Sequence, residues 1–363
     1  MRIVYAFADH PGEGSCSDWL CRFPANALYK AGYDVSLIHV SQFVEKPPDA
    51  DIIVVERILW NGVDSVRFDH LPDGPTKAGL MYWADMKVLD SISDCQANGA
   101  KVIAVFDDHF EAYPDTHEQF RSRWLEGIFD GNYIGFVPIE QFKEGLGLVD
   151  AVMVPSKFLA QHYGKYASRM YRIHNRPNLS LFPIMQNDRA PRRLVVGWAG
   201  TSQHETSWRD SGIFYALDSL RDKIVLVGHF PDTIKVMLDK YRIPHQHGAW
   251  VEYTRFPQVV AAYDVGICPL AGEFDKGRSW IKWLECSLMG KPVIAQDHAG
   301  VYDECVGGFI VSDPMDWIES LRRLMDDDTY YRMSLDGLAW SWQQGWDGNL
   351  REITDIFEEV LGD

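Results

Sequence analysis

Short apolar runs rich in β-branched residues alternate with longer amphipathic stretches along this chain, and the series is run through twice. Parallel strands need a connection long enough to hold a helix, so this rhythm specifies parallel sheets with crossover helices. In the first series the pattern predicts strands at 3–8, 35–40, 52–56, 102–106, 151–155 and 170–174. Helices are expected at about 17–31, 81–97 and 157–163, each stopped by a glycine (Gly32, Gly99, Gly164) as helices commonly are. Around 182–193 (FPIMQNDRAPRR) the pattern lapses into prolines and polar residues, and then it restarts. The second series predicts strands at 194–198, 224–227, 246–248, 265–268, 292–295 and 309–311. Its helices fall at about 207–220, 231–240, 256–262, 279–289, 315–325 and 349–361. The expected fold class is α/β: two Rossmann-like doubly wound domains, 1–185 and 186–345, facing a cleft, with 346–363 packing back on the first. Ligands of such sheets bind beyond the carboxyl ends of the strands, so function is sought in the loops that follow them.

A length of 363 residues suits two domains of roughly 150–190 residues. The opening MRIVYAFADH lacks the basic, apolar and small-residue succession of a secretory signal, and no apolar stretch approaches ~18 residues. A cytoplasmic protein without an integral membrane segment is expected. The six cysteines are scattered without a CxxC spacing, which reads as reduced and structural. A net charge of −17 argues against broad binding to a phosphate backbone, but leaves room for a local site that holds one diphosphate.

The segment FDKGRSWIKWLE (274–285) carries the chemistry. Spacings of four and three put Arg278, Lys282 and Glu285 on one helical stripe, while Ile281, Leu284 and Leu288 form another that suits a core. Two cations at a helix start, beside backbone N–H groups with no helical partner, make a receptor for a diphosphate. Glu285, a turn further on, suits the two hydroxyls of a ribose. The competing reading is a solvated helix face on which Lys282 and Glu285 form a surface pair worth only ~0.2–0.5 kcal/mol. Upstream, Gly197 and Gly200 end a predicted strand, where glycines let a backbone approach a phosphate closely; a tight turn explains a lone GxxG equally well.

FDKGRSWIKWLECSLMGKPVIA resembles the donor-site segment of family 4-like GT-B glycosyltransferases, N-x-x-[KR]-S-x-x-K-x-x-E followed by G-x-P-V-[VI]-A. Arg278, Ser279, Lys282, Glu285, Gly290, Pro292 and Val293 match, and Asp275 replaces the usual Asn. Many relatives carry a glutamate eight residues before Glu285. That place is Gly277 here, so the sugar contacts of that residue do not carry over, and Glu273 or Asp275 is the available substitute. Tyr263–Leu270, Gly197–His204, Val154–Leu159 and Pro177–Phe182 resemble other stretches of the same family in the same order.

In the first domain, Asp107-Asp108-His109 ends the fourth predicted strand and resembles an Asp-Asp element that some of these transferases carry there. Asp108 and His109 are the candidates for orienting an acceptor, beside the alternatives of a helix cap and an Asp-x-His metal site; no metal or other cofactor is expected. Gly12 and Gly14 follow the first strand, where the family has a glycine-bearing loop. Trp60, Trp83 and Trp198, near strand or loop ends, are the tryptophans to test for sugar stacking.

The resemblance implies transfer of a sugar from a nucleoside diphosphate sugar to a hydroxyl, with retention. Arg278 and Lys282 would stabilise the leaving diphosphate with N–H groups of Gly200 and Thr201; Ser279 and Glu285 complete the donor contacts. The acceptor is expected to be a saccharide or glycoconjugate. The alternatives are a phage-type enzyme glycosylating a hydroxymethylated DNA base, and a nucleotide-sugar-binding protein without catalysis. Oligomeric state is left open.

Overall fold

A computed structural model of the chain describes residues 1–9, 16–63, 68, 70–183 and 193–362. Gly12 and Gly14 lie outside the described residues. The chain divides into two compact units. Of the described residues, one holds those up to Arg176 together with the segment from Asn349 onward; the other holds those of Pro177–Gly348.

The first unit is built on β1 (Arg2–Phe7), β2 (Asp34–His39), β3 (Ile52–Glu56) and β4 (Lys101–Val105), with a small antiparallel hairpin, β5 (Ile128–Phe129) and β6 (Asn132–Tyr133), and then β7 (Ala151–Val154) and β8 (Met170–Arg172). The main sheet is parallel throughout, in the order β2-β1-β3-β4-β7-β8. Every residue of β3 (IIVVE) is buried, as expected of a central strand covered on both faces. Its last residue is a carboxylate, the anomaly that marks the functional edge.

Two helices of this unit differ from the sequence expectation, as does the 207–220 helix of the second unit, which Gly212 at a φ of +77° divides into Glu205–Asp210 and Ile213–Ser219. The 17–31 helix is a π turn, Asp18–Arg22, continuing into Phe23–Lys30. The 81–97 helix is two, Pro75–Asp85 and Val88–Ala97. At the break the Met86 carbonyl accepts from Gly62 N, and Val88 N donates to the Trp60 carbonyl, so the 60–62 segment takes backbone groups that a continuous helix would have used. The amphipathic helix Arg351–Leu361 completes this unit with Ile353, Ile356, Phe357 and Val360 buried. Its Glu352 accepts from His174 N at 3.2 Å and from Arg176 Nε at 2.5 Å.

The second unit holds β9 (Leu194–Ala199), β10 (Ile224–His229), β11 (His245–His247), β12 (Val265–Cys268), β13 (Val293–Gln296) and β14 (Gly308–Val311), parallel in the order β11-β10-β9-β12-β13-β14. It starts earlier than the proline-rich lapse suggests, because Leu179 already packs against Gly345 of this unit. Trp198, Trp208, Phe230 and Trp317 centre its core. Its longest helix, Asp327–Trp342, has no counterpart in the sequence reading. The buried stripe of that helix is Tyr330, Ser334, Gly337 and Ser341, nearly devoid of apolar side chains, so hydrophobic periodicity could not reveal it. Small residues are needed there for close approach. A Cβ on Gly307, whose φ is +89°, would run into the backbone of Gly337, and the Ser334 hydroxyl donates to the Gly290 carbonyl.

Both sheets are doubly wound. Connections run outward in opposite directions from β1 and β3 in the first sheet, and from β9 and β12 in the second. Crevices for ligands open beyond the carboxyl ends of strands at such switch points.

Candidate active site

At the switch point of the second unit, β9 ends at Ala199 and leads through Gly200 and Thr201 into a 3-10 turn, Ser202–His204, and a short helix, Glu205–Asp210. β12 leads through Pro269–Ala271 into the turn Gly272–Asp275, and the helix Ile281–Leu288 follows. Arg278 and Ser279 therefore precede that helix, and only Lys282 and Glu285 share its surface.

Lys282 crosses from the helix to β9. Its Nζ donates to the Ala199 carbonyl at 2.5 Å and lies 5.3 Å from the Trp198 ring centroid. Burial pulls its ammonium down, against the pull of Glu285, while Arg278 lowers it further. Glu285 is 7% exposed. Burial raises its carboxyl to about 7, with Lys282 and the nearby Tyr253 hydroxyl acting the other way. Both residues are thus enclosed, unlike the solvated surface pair of the competing sequence reading, and Lys282 spends its hydrogen bond on Ala199.

Arg278 is held from two sides. Its Nε lies 3.4 Å from Asp275 Oδ1, its Nη2 donates to Gln203 Oε1 at 3.1 Å, and its guanidinium stands 4.5 Å from the Phe274 ring centroid. Asp275 is 1% exposed, and its other oxygen accepts from Ser207 Oγ at 2.5 Å and from Ala271 N at 2.9 Å. One buried carboxylate therefore ties the loop after β12 to the helix after β9 and sets Arg278 beside the same turn that Lys282 reaches. This engagement removes Asp275 as a stand-in for the glutamate missing at Gly277. Glu273 points into an ion pair with Lys276 at 2.5 Å.

The glycine expectation is revised in part. Gly197 faces Tyr263, whose ring a Cβ would strike, so packing accounts for it. The Gly200 N–H donates to the His229 carbonyl at 3.3 Å and is not on offer to a phosphate. Gly200 also lies against the rings of Trp198 and His204, where a side chain would collide. Thr201 is exposed, and its carbonyl accepts from His204 N at 3.1 Å.

At the switch point of the first unit the structure gathers a set of which sequence reasoning named only Asp107: Asp9 after β1, Glu56 and Arg57 at the end of β3, and Asp107 after β4. Arg57 Nη2 lies 3.0 Å from Glu56, 3.5 Å from Asp9 and 3.7 Å from Asp107. Arg57 holds a φ of +44°, in the left-handed region that side-chain-bearing residues seldom adopt. Glu56, fully buried, accepts from Ala8 N at 2.8 Å and from the Ser17 hydroxyl; burial raises its carboxyl. Burial and the neighbouring Asp108 push Asp107 up to about 7, with Arg57 opposing. A glutamate closing an otherwise apolar strand, followed by arginine, was the available signal in the sequence.

Asp108 and His109 are buried beside this set. His109 Nε2 lies 3.3 Å from His162 Nε2, so its ring belongs to a contact with the helix Lys157–Tyr163. Two of the tryptophans proposed for sugar stacking, Trp60 and Trp198, are core residues at 0% and 2% exposure; Trp60 stacks on Trp83 at 4.8 Å and Trp198 on Phe230 at 5.9 Å. The six cysteines are free, and among the described residues no helix is long and apolar enough to cross a membrane.

No protein-family model matches the chain, and no curated protein matches it in sequence. Its fold is similar to that of many solved structures. HepE of Anabaena in complex with UDP and glucose is 13% identical, with a TM-score of 0.59 and 100% of each chain covered. Sucrose-phosphate synthase from Thermosynechococcus elongatus is 14% identical at a TM-score of 0.61, again over 100% of each chain. The catalytic domain of starch synthase IV from Arabidopsis thaliana, bound to ADP and acarbose, is 10% identical at a TM-score of 0.62, over 100% of this chain and 99% of that one. At such identities the likeness is one of fold, and it gives the chain the GT-B fold expected from the donor-site segment.

Proposed function

We propose that this GT-B-fold chain is a glycosyltransferase that takes a sugar from a nucleoside diphosphate sugar bound at the switch point of its second unit. The observation that carries the reading is the pair of cations fixed at the turn after β9. Lys282 is tied to the last carbonyl of that strand, and Arg278 is tied to the loop beside it through Asp275 and Gln203. Structural neighbours solved with UDP or ADP support the choice of ligand class.

In the proposed reaction the bond between the sugar C1 and the diphosphate oxygen breaks, and the acceptor hydroxyl oxygen bonds to C1. The leaving diphosphate takes the electron pair of the broken bond and then the acceptor proton, with retention at C1. Charge grows on the diphosphate as the bond breaks. Arg278 and Lys282, already oriented and partly shielded from water, stabilise it; a well-aimed donor of this kind contributes ~3–4 kcal/mol. Thr201 and Ser279 lie on the same two loops as further phosphate contacts. Glu285, once ionised, accepts from the ribose hydroxyls. Asp108 is the first-unit candidate for an acceptor hydroxyl, and the acceptor class proposed is a saccharide or glycoconjugate, in line with the acidic net charge.

The test is a thermal-shift screen of nucleoside diphosphate sugars, followed by transfer and hydrolysis assays with the donor that stabilises most. A ligand at about 100 times its dissociation constant adds ~2.7 kcal/mol. One donor class is expected to raise the melting temperature and to be turned over. Stabilisation without transfer or slow hydrolysis identifies a binding protein, and no stabilisation by any member rejects the reading.

A further inference from the structure

Next to the carboxylate set of its switch point, but with none of that set's members, the first unit brings three metal-ligand atoms together. His109 and Glu111 lie in the segment after β4, and His162 in the helix Lys157–Tyr163. His109 Nε2 and His162 Nε2 are 3.3 Å apart, Glu111 Oε2 is 2.5 Å from His162 Nε2, and the three ligand atoms all fall within 4.8 Å of one another. His109 is buried, while His162 and Glu111 are partly exposed, so solvent reaches the group through them.

Proton bookkeeping at this convergence is awkward. A hydrogen on His162 Nε2 serves Glu111, and the same hydrogen must then serve His109 Nε2 as well. If His109 instead carries a hydrogen on Nε2, it points at the one on His162. One proton thus stands among three lone pairs that a cation would satisfy together. Spacing agrees: zinc–nitrogen bonds of about 2.0–2.1 Å in a tetrahedral arrangement put two nitrogens roughly 3.3–3.4 Å apart. Glu111 sits closer than that and would back away once a cation replaced the shared proton.

The surroundings fix the ligands. Phe158 stacks on the His162 ring at 5.5 Å and meets the His109 ring edge-on at 5.0 Å, and Tyr163 packs edge-on to His162 at 4.8 Å. Lys143 Nζ holds the other oxygen of Glu111 at 2.5 Å, an outer contact that orients the carboxylate while leaving Oε2 toward the imidazoles.

We propose that His109, Glu111 and His162 form a three-ligand site for a divalent transition metal of the zinc class, its fourth position taken by water. The site clamps the segment after β4 to the Lys157–Tyr163 helix, and it is independent of the transferase reading.

The full-length protein, stripped with a chelator, is titrated with Co2+ and the visible absorption of tetrahedral Co2+ is followed, with Zn2+ as competitor. Saturation near one equivalent, displacement by Zn2+ and a rise in melting temperature with excess Zn2+ are expected. His162→Gln and Glu111→Gln are expected to weaken binding by roughly tenfold or more. His247→Gln, in the separate histidine group that includes His229, retains it. His162→Gln also guards against a folding artefact: its metal-free melting temperature should stay near that of the wild type while the Zn2+-induced rise disappears. Absence of tetrahedral Co2+ absorption, or binding unchanged in His162→Gln and lost in His247→Gln, overturns the proposal.

Discussion

The two switch points of this molecule occupy equivalent places in two doubly wound sheets, yet they are built with opposite electrostatics. In the second unit two cations, Arg278 and Lys282, are each steadied by one buried carboxylate or backbone carbonyl. In the first, a single guanidinium, Arg57, faces Glu56, Asp9 and Asp107. The same topology therefore supplies one edge suited to receiving a diphosphate and another that holds surplus carboxylates, two of them with raised proton affinity. The teaching is that the fold fixes where a site lies, while the residues closing each strand fix which charge it accepts.

Substitutions that erase this contrast rank as follows. Arg278→Ala removes a preorganised cation from the second edge, and donor turnover in an initial-rate assay should fall by about 10²–10³ at unchanged circular dichroism. Asp275→Asn keeps the shape but weakens the grip on Arg278; turnover is expected to drop by roughly tenfold, the scale of lost support behind a functional side chain. Lowered stability without that drop would make Asp275 purely structural.

Glu285→Gln separates binding from stability. The wild-type carboxyl is raised to about 7 from an ordinary 4.5, so the folded state holds a proton between those values, and ionisation costs stability as pH rises through about 7. The glutamine variant should match the wild type in melting temperature near pH 5 and exceed it by a few degrees at pH 8. Donor affinity measured by calorimetry at pH 8 should fall about tenfold, as expected for losing hydrogen bonds to a charged acceptor.

The smallest effect belongs to the first edge. Asp107, raised from 3.8 to about 7, obeys the same sign: the folded state favours its protonated form, and stability is lost as pH rises through that range. Asp107→Asn should raise the melting temperature by a few degrees at pH 8 and leave it unchanged near pH 4. A loss at pH 8 would mean that the ion pair with Arg57 outweighs the crowding of carboxylates.

What the sequence made legible follows from these same residues. The apolar runs of β1, β3, β9 and β12 announce themselves, because strands buried on both faces must be continuously apolar. Lys282 and Glu285 were legible because a helix imposes their spacing. Arg278 precedes the helix, so the helical stripe does not account for it; it owes its position to Asp275 and Gln203, contacts across two loops that no local pattern encodes. Asp9, Glu56 and Arg57, which join Asp107 in the first-unit set, are hidden for a related reason: the members come from the ends of three strands and meet only through sheet order. The helix Asp327–Trp342 was missed because it buries serine and glycine instead of leucine.

The most direct measurement compares the release of nucleoside diphosphate from the best-stabilising donor by wild type and Lys282→Ala, with circular dichroism and thermal melts run alongside. The account expects wild-type release to be lost in the variant by a factor of about 10² or more while the fold is kept. Release at the wild-type rate by a folded Lys282→Ala protein would contradict it.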